Sequence, residues 1–226
     1  MQAIESKLRA GLAALDLVLS DAQVASLLAY QGLIQKWNKV YNLTAVREPS
    51  DMVTHHLLDS LAVIGPLRRI LSQRPEVMTQ ELSRGKALRL LDVGSGAGLP
   101  GVVIAICCPE IQVDCVDTVG KKAAFIQQVA VTLKLPNLRG IHARVENLTE
   151  KYQVICSRAF ASLADFTDWS RHALADQGVW LAMKGKHPAD ELALLPGIAV
   201  FHVEQLAVPG LDAERCLIWL KPAAVG

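Results

Sequence analysis

An apolar strand that breaks into alternating glycines constrains this chain more than any other feature. Leu90-Leu91-Asp92-Val93 runs straight into Gly94-Ser95-Gly96-Ala97-Gly98-Leu99-Pro100-Gly101. Glycine takes left-handed backbone angles at little steric cost, so the run predicts a tight turn whose backbone approaches a ligand closely. Pro100 suits the opening of a helix, and the first N–H groups of a helix have no partner within it. Strand, turn and helix start together predict an α/β sheet with a nucleotide-type cofactor at the turn.

The letters of the turn support two cofactors. Gly96-Ala97-Gly98-Leu99-Pro100-Gly101 fits the dinucleotide pattern G-x-G-x-x-G, which alone is weak. Read from Asp92, the stretch is acid-x-Gly94-x-Gly96-x-Gly98, which resembles the first motif of class I S-adenosylmethionine-dependent methyltransferases. That cofactor carries a cationic amino group and no pyrophosphate. A carboxylate suits the cation and repels a phosphate, so Asp92 favours the methyl donor over NAD and is expected to meet its amino group. Gln112-Val113-Asp114-Cys115-Val116-Asp117 reads as the next strand, and Asp117 follows Gly98 by 19 positions. At about that distance an acid reaches a ribose hydroxyl, a role open to Asp117 with either cofactor.

The chain has 226 residues, enough for one α/β domain and a small appendage. Hydrophobic residues make up 51%, so a large core is expected and disorder is not. No apolar run is long enough for a bilayer, and the first residues carry no signal-peptide pattern. The five cysteines, without C-x-x-C spacing, read as buried reduced thiols. A cytoplasmic location and no membrane association are expected. A net charge of +1 does not announce nucleic-acid binding, so any RNA contact has to be local. Candidate clusters are Arg68, Arg69 and Arg74; Arg84, Lys86 and Arg89; Lys121 and Lys122; and Lys184, Lys186 and His187.

Residues 1–71 read as a helical extension. Ser20 and Gln23 make a capping box, and Pro49-Ser50-Asp51 stops one helix and caps the next, striped by Val53, Leu57, Leu61 and Ile64. Residues 72–86 read as a connector. Over residues 87–226, strands are predicted at 88–93, 112–117, 138–142, 152–157 and 178–184, with helices at 100–108, 120–134, 163–175 and 188–195. This alternation predicts a mostly parallel sheet. Two further strands, within 198–208 and 216–221, predict a terminal antiparallel hairpin.

Several segments together resemble one family. They are Trp37-Asn38-Lys39-Val40-Tyr41-Asn42-Leu43-Thr44-Ala45, His55-His56-Leu57-Leu58-Asp59-Ser60-Leu61, the glycine turn, Ser157-Arg158-Ala159-Phe160-Ala161 and Met183-Lys184-Gly185-Lys186. In that order they are similar to the bacterial small-subunit ribosomal RNA methyltransferase G family, also called glucose-inhibited division protein B. The resemblance implies a class I methyltransferase sheet of seven strands behind an N-terminal helical segment. It implies a cytoplasmic enzyme that methylates nitrogen-7 of a guanine in 16S rRNA, near the decoding region, free or in the small ribosomal subunit; a monomer is expected, though nothing in the sequence fixes the oligomeric state. S-adenosylmethionine would be the donor and S-adenosylhomocysteine the product; loss of the methyl group goes with low-level streptomycin resistance in the family. The family's cofactor contacts fall on Gly94, Leu99, Val145, Glu146 and Arg158. Asp92, Gly96, Gly98 and Asp117 join them from the chemistry of the turn.

Guanine nitrogen-7 has a lone pair and no proton, so its methylation needs alignment and no general base. Arg158 and Lys184 are accordingly expected to position substrate. Arg158 suits a guanine edge, a phosphate, the cofactor or a structural tie, and Lys184 an RNA phosphate. His55, His56 and Asp59 share a helix and read as a hydrogen-bond network, with no metal expected. Cys156 sits in an apolar strand without the preceding proline of carbon-5 pyrimidine methyltransferases, and reads as inert. Three alternatives remain at this point: methylation of another RNA base or a small molecule, an NAD-dependent oxidoreductase, and a non-catalytic RNA-binding factor.

Overall fold

The computed structural model describes residues 2–73, 87–186, 188–193, 195 and 197–223. The predicted connector therefore lies outside the described residues from 74 to 86. Seven strands form one sheet: β1 (Leu88–Val93), β2 (Ile111–Asp117), β3 (Leu138–His142), β4 (Tyr152–Arg158), β5 (Leu174–Lys184), β6 (Ile198–Gln205) and β7 (Cys216–Pro222). Their order is β3-β2-β1-β4-β5-β7-β6. The first five pair in parallel, and β7 runs antiparallel between β5 and β6. This is the class I methyltransferase sheet with its terminal hairpin. The chain steps outward from β1 through β2 to β3, then returns to the other side of β1 as β4. Beyond the carboxyl ends of β1 and β4 the crossovers diverge and leave a crevice.

Helices cover both faces. The N-terminal extension supplies α1 (Gln2–Ala14), α2 (Asp21–Tyr41), α3 (residues 49–61) and α4 (Ile64–Ser72). Within α3, Pro49–Met52 and Asp59–Leu61 are α-helical and Val53–Leu58 is π-helical. Then follow α5 (Gly101–Cys107), α6 (Gly120–Thr132), α7 (Leu163–Ser170) and α8 (Ala189–Ala193). Alternation along the strands divides the core. Leu90, Val113 and Val154 pack with residues of α1 to α6, while Leu91, Val116 and Ile155 pack with Leu163 and Phe166 of α7. The stripe Val53, Leu57, Leu61 and Ile64 is fully buried, so the extension is continuous with the first core. No described helix is long and apolar enough to cross a membrane.

The predicted capping box is present: Ser20 Oγ accepts from Gln23 N at 3.3 Å, and Ser20 N donates to Gln23 Oε1 at 3.0 Å. Pro49 opens α3 as expected, but α2 has already ended at Tyr41, where Asn42 adopts φ 50° and caps it. The helix predicted at 163–175 ends at Ser170. A 3-10 turn, Arg171–Ala173, follows, and Leu174 enters the sheet opposite Tyr152. The apolar residues of that stretch keep a helical spacing across the junction, which hides it.

Candidate active site

The glycine turn is built as its sequence requires. Gly94, Gly96 and Gly98 have φ of 65°, 59° and 90°. A Cβ on Gly94 would sit 2.2 Å from the Phe160 ring, and one on Gly98 2.4 Å from Val102. A Cβ on Gly96 would meet nothing within 4 Å, because it would project into open space above the sheet. Three side chains hold the turn from behind. Tyr30 of α2 donates its hydroxyl to Ala97 O at 2.6 Å. Asp117, at the end of β2, accepts from Gly96 N at 3.0 Å and from Val119 N at 2.8 Å. Lys122 pairs with the same carboxylate at 3.4 Å.

Asp92 is the third. Its Oδ2 accepts from Gly101 N at 2.9 Å, the Cys156 thiol lies against the carboxylate, no nitrogen or oxygen donor among the described residues meets Oδ1, and the residue is fully buried. Burial pushes its pKa up to about 7, against the opposing pull of Gly101 N–H and Arg158. The carboxylate lies beneath the turn, packed so closely on Gly101 that a Cβ there would stand 2.8 Å from it. Asp92 holds the turn to the start of α5.

Two clefts flank the turn and meet at Gly94 and Ala159. One, of about 490 Å³, lies over the ends of β2 and β3 and is lined by Asp117, Thr118, Val145, Glu146, Phe160 and Trp169. Val145 is buried in its floor and Glu146 stands exposed at its edge. Phe160 and Trp169 meet edge to face at 5.9 Å, forming an aromatic wall. The other, of about 450 Å³, lies over the ends of β1, β4 and β5, with Leu99, His56, Arg158, Lys184 and Arg215 among its walls. Every site residue expected from the sequence except Asp92 and Gly98 lines one of these two clefts.

The second cleft is cationic. Buried Asp59 accepts from Arg158 Nη1 at 2.7 Å on one oxygen and from Arg215 Nε at 2.8 Å on the other. Arg158 Nη1 also donates to His55 O at 3.0 Å, and Arg215 Nη1 to Glu214 O at 2.9 Å. One carboxylate thus fixes two guanidiniums that both line the cleft, and the trio carries a net positive charge. His56 Nε2 bonds Thr44 Oγ1 at 2.8 Å, and Asn38 Oδ1 accepts from Thr44 N at 2.9 Å. Burial lowers the His56 pKa to about 4, so its imidazole is neutral in this wall.

Several of the other expected cations are already engaged, though Lys121 and Lys186 make no polar side-chain contact among the described residues. Lys184 Nζ contacts both Glu191 oxygens, at 3.1 and 3.0 Å, and Ala161 O at 3.2 Å. Arg68 donates to Cys107 O, Arg69 pairs with Glu204 and Arg89 with Asp114. Arg74, Arg84, Lys86 and His187 lie outside the described residues. Cys156 is fully buried and its thiol is raised well above the ordinary value by that burial, as an inert thiol should be. Among the described residues no group of three His, Cys, Asp or Glu could hold a metal ion. Sequence reasoning missed Arg215, Tyr30 and Trp169. Arg215 and Tyr30 act through partners 156 and 67 positions away, a separation that leaves no local pattern.

Comparison with known proteins gives a consistent result. The family model described as rRNA small subunit methyltransferase G matches residues 23–218. Ribosomal RNA small subunit methyltransferase G of Polaromonas naphthalenivorans (strain CJ2) is 65% identical over 224 residues, covering 99% of this chain and 98% of that protein. The protein of the same name from Albidiferax ferrireducens is 66% identical over 230 residues and is covered, like this chain, to 100%. Among solved structures, TrmN from Thermus thermophilus superposes with a TM-score of 0.50 at 19% identity, over 60% of this chain and 44% of that one, a likeness of fold.

Proposed function

Because the chain belongs to the rRNA small subunit methyltransferase G family, we propose that it methylates nitrogen-7 of a guanine in the decoding region of 16S rRNA, with S-adenosylmethionine as methyl donor. The observation that carries this reading is the pair of clefts meeting at Gly94 and Ala159. One is shaped for a nucleoside: an acid at its strand end, a buried valine and an aromatic wall. The other is cationic and suits a polyanion.

The residues fit the methyl donor. The open space above Gly96 admits its amino-acid arm. Asp117 accepts from Gly96 N and Lys122 on Oδ2 and from Val119 N on Oδ1, which leaves a lone pair on Oδ1 for a ribose hydroxyl. Val145 and Glu146 border the adenine. Gly98 and Asp92 contribute by shaping and anchoring the turn, and Leu99 by closing the floor of the second cleft. When bound, S-adenosylmethionine would supply an electrophilic methyl, and guanine nitrogen-7, with a lone pair and no proton, would need no base from this chain to accept it.

This chain's task is therefore alignment and exclusion of water. Arg158 and Arg215, held side by side by Asp59, face guanine O6 or a backbone phosphate. They leave nitrogen-7 free, since a donor bonded there would occupy the attacking lone pair. Lys184, already paired with Glu191, positions the far wall. Neutral His56 adds no charge where the product ring becomes cationic. The test uses 16S rRNA and small subunits from cells lacking the gene, incubated with the protein and S-adenosylmethionine, then cleaved reductively at 7-methylguanosine. A single methyl-donor-dependent cleavage in the decoding region is expected. Its absence on both substrates, with S-adenosylhomocysteine binding intact, overturns the assignment.

A further inference from the structure

Lys184 stands in the wall of the cationic cleft, yet its bonds lead toward the other one. Its ammonium donates to Ala161 O at 3.2 Å and pairs with both oxygens of Glu191. Glu191 Oε2 also accepts, at 2.7 Å, from the N–H of Leu163, the first residue of α7. The pair therefore grips the chain on both sides of Ser162, which caps α7 by accepting from Asp165 N at 3.1 Å. The lysine side chain is only 17% exposed, so its charge is committed to these partners.

The gripped backbone is strained. Ala159 has φ 53° and Ala161 φ 48°, both left-handed. A Cβ makes that conformation costly, and it persists only where the surroundings impose it. Both alanines are exposed, so burial of their own side chains does not impose it. Between them Phe160 is half-buried, with its ring against the bare α-carbon of Gly94, where a Cβ would stand 2.2 Å away. The ring also meets Trp169 edge to face at 5.9 Å, and Trp169 is 38% exposed. Phe160 and Trp169 line the nucleoside cleft and not the cationic one, whereas Lys184 lines the cationic cleft and not the nucleoside one.

We infer that Lys184 and Glu191 form a clamp that keeps Phe160 in the cofactor cleft. The clamp acts through Ala161 O and the strained backbone, so that Phe160 and Trp169 together pack on the base of the methyl donor. Both members of the clamp are positioning residues for the cofactor, although one of them stands in the wall offered to RNA. This rests on the function proposed above and deepens its cofactor site.

Calorimetry of S-adenosylhomocysteine with the full chain reads the clamp without any methyl transfer. Lys184→Met is expected to weaken that affinity about 5- to 30-fold. Filter binding of deproteinised 16S rRNA to the same variant should stay within about twofold, because the ammonium is already spent inside the protein. Phe160→Leu is expected to cost about tenfold in S-adenosylhomocysteine affinity. The Lys184→Met/Phe160→Leu double variant should lie within about twofold of Phe160→Leu alone, since the clamp then has no ring to hold. Ala161→Gly added to Lys184→Met should recover at least about threefold, because glycine takes the left-handed angle at little cost. Glu191→Gln, a gentler change, carries the same series if Lys184→Met does not fold.

Unchanged S-adenosylhomocysteine affinity in the folded clamp variants overturns the inference. So do fully additive losses in the double variant, or no recovery on adding Ala161→Gly, since a pair that merely stabilises the fold would give both. Loss of RNA affinity alone would make Lys184 a phosphate contact and likewise reject the clamp. Wild-type protein that binds S-adenosylhomocysteine but forms no 7-methylguanosine in 16S rRNA overturns the function itself, a result distinct from the others.

Discussion

A methyl group added at Gly94 has nowhere to go. It would fall 2.2 Å from Phe160 at a φ of 65°, where side chains already cost about 1–2 kcal/mol. Gly94→Ala is expected to reduce S-adenosylhomocysteine affinity at least about tenfold while circular dichroism stays native; calorimetry checks this, and an unchanged affinity would remove the turn from the site. Asp92 makes a pH prediction. Its folded pKa of about 7 lies above the ordinary 3.8. Below the ordinary value both states carry the proton and the group is neutral to stability. Between the two values the unfolded state ionises while the folded state holds its proton, so stability falls as pH rises, and the penalty is complete above about 7. Asp92→Asn is expected to flatten this part of the stability–pH curve measured by urea unfolding; parallel curves for the two proteins would mean that the acid is not protonated when folded. At this scale the sequence showed that the glycines and Asp92 matter. It could not show how deeply the carboxylate lies beneath the turn, because depth beneath a loop leaves no trace in spacing.

Among the elements, α2 joins stability to the site. Its first residue is capped by the Ser20–Gln23 box, its middle supplies Tyr30 to the turn, and its end opens into the cationic cleft. Loss of the cap in Ser20→Ala is expected to cost about 1 kcal/mol and to lower Tm by about 2–4 °C. Thermal melts check this, and an unchanged Tm would show that tertiary packing alone sets the helix start. The capping box, the five parallel strands and the terminal hairpin were legible because cap chemistry and unbroken apolar runs are local signals. The π-helical turn at Val53–Leu58 was not. Val53, Leu57 and Leu61 satisfy an α-helical stripe just as well, and the wider turn is settled by what Asp59 and His56 must reach across space. The end of α7 escaped for a related reason: strand pairing of Leu174 with Tyr152 outweighs a helical period that continues past it.

Across the whole molecule, Asp59 joins three distant parts of the chain: the N-terminal helices, the end of β4 and the residue before β7. Removing one partner from a buried charge cluster leaves the others uncompensated. Asp59→Ala is expected to destabilise the fold by about 3 kcal/mol and to abolish methylation. Asp59→Asn, which keeps one accepting oxygen, should fold and lose turnover more than S-adenosylhomocysteine affinity. Urea unfolding and the cleavage assay separate the two, and full activity in Asp59→Asn would show that the arginines need no common anchor. Two of the expected basic clusters, those at Arg68–Arg69 and Lys184, spend their charge inside the structure. The tie between Asp59 and Arg215 has a consequence for timing. The two are separated by 156 positions, so a chain still being translated holds Asp59 and Arg158 long before Arg215 emerges. Until β7 slots between β5 and β6, the second guanidinium is missing from the cleft and the sheet is open. The net positive charge of the cleft is thus a property of the completed sheet, absent while Asp59 and Arg158 stand alone as a neutral pair.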